Sequence, residues 1–291
     1  MDRNELFTLL SDTAAGCREN TFAPSGLGTG PIFDSPLLGL ARGDDPMFKT
    51  LKELVGPFHW TPEEAWALAR PEHPLPSAAL TVVGIALPHS PETIEAQRKE
   101  KERPSLHWVY ARNSWPYVSG ALCRRMVKAL AANGIDAIAP ELLPQFRQEK
   151  TPFGRRAVWS QAHVAHIAGL GTFGLAGGLI TLRGKDVRLC SLLLEGEWPA
   201  DERPYEGPFD WCLRSRNGTC GACAARCPAG AITLDGGFDR KACTDYISNH
   251  KSLLESLSGV DAKNGTGCGL CHTNVPCATR KPELPERRRE S

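Results

Sequence analysis

Cysteine is the residue of this chain whose spacing could do chemistry. Eleven cysteines occur in 291 residues, and eight of them lie between positions 212 and 277. Within that stretch Cys220-Gly-Ala-Cys223-Ala-Ala-Arg-Cys227-Pro228 spells C-x2-C-x3-C-P. This is the back half of the run C-x2-C-x2-C-x3-C-P that holds [4Fe–4S] cubes. Thiolates spaced this way on a tight turn reach neighbouring irons of one cube, whereas the cysteine before proline points away and serves a second cube. The first ligand of the full run would fall at Asn217; Cys212, five residues earlier, can loop in. Cys243, Cys268-Gly-Leu-Cys271 and Cys277 follow. A crossed arrangement puts Cys212, Cys220, Cys223 and Cys277 on one cube, and Cys227, Cys243, Cys268 and Cys271 on the other. Every cysteine of the segment is then used. Two structural zinc sites would also take four thiolates each, and a single cube is left if Cys212 or Cys277 does not ligate. The C-x3-C-P run favours two cubes. Cys17, Cys123 and Cys190 fall in expected helix or strand and read as core residues.

The totals suit that chemistry. The N-terminus MDRNELFTLL shows no secretory or twin-arginine pattern, and no segment approaches the ~18 uninterrupted apolar residues that span a bilayer. We therefore expect a cytoplasmic protein without a membrane segment. Disulfides are rare in that compartment, so a dense set of thiols points to metal. Thirty-four basic and 33 acidic side chains leave a net charge of +1. That balance gives no electrostatic reason to expect nucleic acid or an anionic membrane as a partner.

The remaining elements must position the cysteines. Residues 4–16 read as a short amphipathic helix with Leu6, Leu9 and Leu10 on one side, and the Gly/Pro-rich stretch 24–46 as an ordered loop. Thr61-Pro-Glu-Glu64 is a capping-box start for a helix through Ala69. Ala78–Leu87 is the best strand, being rich in β-branched residues between Pro and Gly signals. Residues 90–102 are a charged, solvated segment. Trp115–Asn133 reads as a helix ended by Gly134, and Val158–Ala168 as another. Gly178–Arg183 and Val187–Glu195 read as strands of a hairpin through Gly184–Asp186. The expected organisation is an α+β chain: an α/β domain over 1–204, a cysteine module over 205–280 and a disordered tail over 281–291.

Two hundred residues ahead of the cysteines exceed what a bare ferredoxin needs, and they carry a likeness. Ala168-Gly-Leu-Gly171-Thr-Phe-Gly174, Gly178-Leu-Ile-Thr-Leu182 and Val187–Leu194, all upstream of C-x2-C-x3-C-P-x-x-A-I, resemble the epoxyqueuosine reductases and the corrinoid-dependent reductive dehalogenases. The resemblance runs from about Ala78 through Cys277. It implies a nitroreductase-like α/β domain that binds cobalamin against a ferredoxin-like two-cluster module. Gly169, Leu170, Gly171, Gly174, Leu179 and Tyr117 would then contact the cofactor. An external donor such as a flavodoxin or ferredoxin would supply electrons, which pass through both cubes to reduce a small molecule or the corrinoid itself. An electron-transfer protein without corrinoid and a tRNA-modifying reductase are the alternatives. The sequence departs from the pattern in two places. Where epoxyqueuosine reductases carry an acidic proton donor, this chain has Arg155-Arg156, and Cys271-x5-Cys277 is longer than the family's x3.

Other motifs invite chemistry and have plainer readings. Gly169-x-Gly171-x-x-Gly174 matches the dinucleotide fingerprint, but a helix precedes it and a strand follows, the reverse of the required context. His163 and His166 share part of a helix face and could bind a metal, though core or surface histidines are commoner. Tyr110 and Tyr117 could donate a proton, or simply pack.

Overall fold

The computed structural model describes residues 1–152 and 154–283. In chain order the elements are α1 (Arg3–Ala15), β1 (Leu37–Arg42), α2 (Pro46–Leu54), α3 (Pro62–Ala69), β2 (Leu80–Pro88), α4 (Pro91–Lys99), α5 (Leu106–Ala132) and β3 (Ala137–Ile138). There follow β4 (Gln148–Thr151), β5 (Gly154–Ala157), α6 (Gln161–Ile167), β6 (Gly171–Phe173), β7 (Leu179–Thr181), β8 (Val187–Glu195), α7 (Leu213–Asn217), α8 (Ala222–Ala225) and α9 (Arg240–Ser248).

An antiparallel four-stranded sheet, in the order β1-β2-β8-β3, is the centre of the body. Successive side chains of a strand point to opposite faces, and both faces are covered. Val83, Ile85 and Leu87 of β2, with Cys190, Leu192 and Leu194 of β8, meet α1 and α5 on one side. Leu80, Val82 and Leu193 meet α2, α3 and α6 on the other. All nine residues of β2 are consequently buried. Each large aliphatic side chain enclosed this way contributes roughly 1.5–3 kcal/mol.

The capping box at Thr61 forms as its sequence requires, with Thr61 Oγ1 accepting from Glu64 N–H and the Glu64 carboxylate accepting from Thr61 N–H. Cys17, Cys123 and Cys190 lie in the core. Helix α5 starts nine residues before Trp115. Its cap is Ser105, whose hydroxyl accepts from Trp108 N–H at 3.2 Å, and burial of Trp108, Val109 and Tyr110 carries the helix through Pro116. The stretch 24–46 is not all loop, because Leu37–Arg42 forms β1. Pro91–Lys99 does form a helix, but Thr93 and Gln97 are fully buried rather than solvated.

The expected hairpin of residues 178–195 does not form. β7 pairs with β6, while β8 crosses to the central sheet between β2 and β3. The intervening turn is used elsewhere: Lys185 N–H and Asp186 N–H donate to Cys277 and Ala278 carbonyls at 2.9 and 3.0 Å. At the other end of the module, residues 284–291 of the expected tail lie outside the described residues. Lys281 and Pro282 are packed, with Lys281 Nζ 4.7 Å from the Trp211 ring centroid and Pro282 buried.

The placement of α6 depends on two glycines. Gly39 and Gly84 face each other across β1 and β2. A Cβ on Gly39 would sit 2.1 Å from the Ala168 carbonyl oxygen, and one on Gly84 3.0 Å from Ala168 Cβ. The bare pair makes a notch that lets the end of α6 lie directly on the sheet.

Candidate active site and iron–sulfur module

The eight cysteines of the module fall into two neighbourhoods. Cys277 feels the charges of Cys212, Cys223 and Cys220, and Cys223 those of Cys212 and Cys220. Cys271 feels Cys268, Cys227 and Cys243, and Cys268 feels Cys243 and Cys227. These are the two sets that crossed ligation requires. Short helices bring them together: Cys212 caps α7, and α8 carries Cys223. Among the described residues no three His, Cys, Asp or Glu side chains converge on a point the size of one metal ion. Burial pushes the Cys271 thiol up to about 12 and the Cys277 thiol to about 11, against the pull of Lys185. Cys212 is also raised by burial, but hydrogen bonds from Ser215, Leu175 and Arg214 draw it below its ordinary value.

Lys185 lies between the sets. It is only 2 % exposed and lines the cavity that Cys212, Cys220, Cys223 and Cys277 enclose with Trp211 and Ile180. Its charge favours the thiolates of Cys223 and Cys277 on one side and of Cys271 on the other. No carboxylate is within ion-pair distance of it among the described residues. Asp186 beside it feels its charge yet is raised to about 8 by burial, and a cluster held by four thiolates carries a net negative charge that Lys185 would balance. The donor set and this cation together fit iron–sulfur cubes.

Hydrogen bonds between the body and the module lock the second set in place. The Gln97 amide donates to Cys268 O at 2.8 Å and accepts from Ser105 N–H at 2.8 Å. Arg226 donates to Leu270 O and Glu100 O. Asn113 exchanges two hydrogen bonds with the backbone of Asp261. Gly269, inside Cys268-Gly-Leu-Cys271, has φ +67° and lies so close to Trp108 that a Cβ would fall 1.9 Å from the indole. Only glycine satisfies both conditions there.

On the other side of the β6–β7 loop the body opens into a cleft of about 840 Å³. Phe173 and Gly177 face the cleft, whereas Gly174 and Leu175 face the cavity of the first cysteine set. One loop is thus the wall of both. Tyr205 in the cleft also packs edge-on against Trp211 in the cysteine cavity, at 5.4 Å between centroids. Helix α6 presents His163 and His166 to the cleft. His166 Nδ1 donates to the Gly171 carbonyl at 2.7 Å, and its ring stacks on Tyr205 at 4.9 Å. Because the carbonyl can only accept, Nε2 is the unprotonated nitrogen of neutral His166. The Tyr205 hydroxyl donates to the His166 carbonyl. His163 Nδ1 pairs with Ser160 Oγ at 2.7 Å, and burial, helped by the charges of His166 and Arg156, lowers the ring to about 4. Both histidines are held neutral near pH 7. Leu51, Leu54, Val55 and Phe209 supply apolar wall, and four arginines, 155, 156, 203 and 240, supply charge.

None of the six residues expected to contact a cofactor lines this cleft. Gly169 and Leu170 border a separate shallow hollow beside Asp201. Gly171 is buried against the Ile180 carbonyl in the β6–β7 pairing, and Leu179 is core. Gly174 faces the cysteines. Tyr117 is half exposed on α5, its hydroxyl 3.3 Å from Asp261. Gly171 serves the close pairing of β6 and β7, and Gly169 takes a positive φ against the Glu202 carbonyl. Tyr205, Phe209 and Arg240 carry no local signal in the sequence. They reach the cleft because the segment after residue 200 folds back over α6.

Residues 216–277 match the 4Fe-4S double cluster binding domain. An epoxyqueuosine reductase of Bacillus anthracis is 26 % identical over 202 residues, 69 % of this chain and 48 % of the relative. The chain therefore spans about half the length of that relative. The epoxyqueuosine reductase of Streptococcus thermophilus superposes with a TM-score of 0.50 at 16 % identity, covering 85 % of this chain and 64 % of that one. A catabolic reductive dehalogenase in complex with 3-bromo-4-hydroxybenzoic acid gives 0.50 at 16 %, covering 95 % and 36 %. The chain thus joins a 4Fe-4S double cluster binding domain to an α/β body with the fold seen in epoxyqueuosine reductases and reductive dehalogenases.

Proposed function

We propose that the protein is an iron–sulfur reductase that passes electrons from an external donor through two cubes to a reaction in the cleft beside α6. The observation that carries this reading is the shared wall: the loop 173–177 separates the cleft from the cavity of Cys212, Cys220, Cys223 and Cys277. Lys185 between the two cysteine sets supports an electron path from one to the other. The crossed ligand sets are part of the proposal, with Cys227, Cys243, Cys268 and Cys271 holding the cube nearer the donor.

The cleft suits a cobalamin-type cofactor on a nitroreductase-like body. Its volume is within the range of cofactor pockets, and Leu54, Phe173 and Phe209 offer an apolar surface to a flat ring, with polar groups at the rim. When bound, a corrinoid would supply a low-potential cobalt that is both nucleophile and reductant. The chain's own part is to exclude water with the Phe173 and Phe209 rings and to keep His163 and His166 neutral. His166 Nε2 can then accept a proton or a hydrogen bond.

Anaerobic purification followed by iron and corrinoid counting tests the proposal. The expected result is about eight irons per chain and one corrinoid, with Cys277→Ser and Cys243→Ser each retaining about half the iron. Zinc in place of iron would overturn the whole reading. Cubes without corrinoid uptake would leave an electron carrier.

A further inference from the structure

We propose that the cleft takes an amphipathic anion as its substrate, its phosphate or carboxylate held between Arg156 and Arg240. This rests on the cleft being the reaction site. Arg155, Arg156, Arg203 and Arg240 line it against a single acid, Glu206. Two of the four are already occupied: Arg203 pairs with Asp45 at 2.9 Å, and Arg155 donates to Gln148 at 3.3 Å. Arg156 and Arg240 have no carboxylate within ion-pair distance among the described residues.

The fold brings these two cations together from distant parts of the chain. Arg156 is on β5, and Arg240 opens α9, one turn before Cys243. A Cβ on Gly154 would lie 3.1 Å from Arg240 Cδ, so the hairpin end rests on the Arg240 stem. The Arg240 guanidinium is further steadied over the Phe238 ring at 5.3 Å. Burial, and after it the charge of Arg240, lowers Arg156. Like charges kept side by side without a counter-ion are a waiting anion site, and planar guanidinium groups suit the bidentate geometry of carboxylate and phosphate. Met47, Leu51 and Val55, which line the same cleft apart from the side chains offered to the corrin ring, call for an apolar body on the same molecule.

The test is calorimetric titration of the anaerobic, cluster-loaded chain with inorganic phosphate and, separately, benzoate. Both should bind the native chain. Arg156→Gln/Arg240→Gln should weaken each at least tenfold, with Arg156→Lys/Arg240→Lys retaining part of the affinity. Iron content and melting temperature serve as the fold check, and Arg156→Gln alone carries the test if the double variant loses iron. Unchanged isotherms in the variants, or no binding of either probe by the native chain, would overturn the proposal. Cobalamin and cobinamide, which lacks the phosphodiester, separate substrate from cofactor. If the double variant loses cobalamin but keeps cobinamide, the arginines serve the cofactor and the substrate assignment fails. If the native chain binds phosphate and benzoate but no corrinoid, the anion site stands and the corrinoid reading falls.

Discussion

Substituting alanine for Gly39 should displace the helix that carries both cleft histidines. The new Cβ would lie 2.1 Å from the Ala168 carbonyl oxygen, where ordinary contact begins near 3.4 Å, so the end of α6 must retreat by about 1.3 Å. The obstacle is backbone, which cannot rotate away, and Leu170 Cγ at 3.0 Å blocks sideways escape. Overpacking of this kind costs about 1–3 kcal/mol, and the depth of the clash puts Gly39→Ala near the upper end. For a chain of this size that corresponds to a fall in melting temperature of roughly 6–12 °C. Gly84→Ala meets only Ala168 Cβ at 3.0 Å and Leu170 Cδ1 at 3.2 Å, so it should cost about 1 kcal/mol, or roughly 2–4 °C. Gly16→Ala, with its nearest atom at 3.4 Å, is the control and should melt with the native chain. The assay is thermal melting of the three anaerobic variants at one scan rate, followed by benzoate titration at a temperature where all are folded. A shift of this size in α6 should also weaken cleft binding, because His163 and His166 move with it. Gly39→Ala melting within a degree of native, or above Gly84→Ala, would refute the notch as the reason α6 sits where it does.

Two further predictions concern charge. Lys185→Met removes the buried cation facing both cysteine sets. Losing one positive charge disfavours the reduced, more negative clusters, so their potentials should fall by roughly tens of millivolts. EPR-monitored redox titration reads this, and unmoved potentials for both cubes would show that Lys185 does not face them. His59, fully buried, accepts from Ser160 N–H at 3.1 Å and so anchors the start of α6. Burial, with the charge of His163 second, lowers it from 6.5 to about 4. The unfolded chain therefore binds this proton first as pH falls. Stability is whole above pH 6.5 and is lost towards pH 4, at about 1.4 kcal/mol per unit, or roughly 2 kcal/mol by pH 5. The drop in melting temperature between pH 7.5 and pH 5 should be roughly 4–8 °C smaller in His59→Gln. Equal drops in the two proteins would exclude His59 as the source.

The cysteine module was legible because its chemistry is local. A C-x2-C-x3-C-P run specifies its own turn, and residues 216–277 match the 4Fe-4S double cluster binding domain. Capping at Thr61 and burial of Leu6 and Leu10 were legible for the same reason, since each depends on residues within a turn or two. The strand β1 was hidden inside a Gly/Pro-rich stretch, because Gly39 weakens its strand signal while serving a helix 129 positions away in sequence. Lys185 looked like part of a hairpin turn until the segment bonded to Cys277 and Ala278 instead. The AGLG block drew attention as a cofactor surface, and in the fold its Gly171 lets β6 lie directly on β7. The cleft itself could come only from tertiary structure. Met47, His163, Tyr205 and Arg240 share no periodicity and no motif. They meet because α2, α6, the start of the cysteine module and its helix α9 fold over one another. Proximity across a fold is set by packing of whole elements, and a linear pattern records only what neighbours along the chain must do.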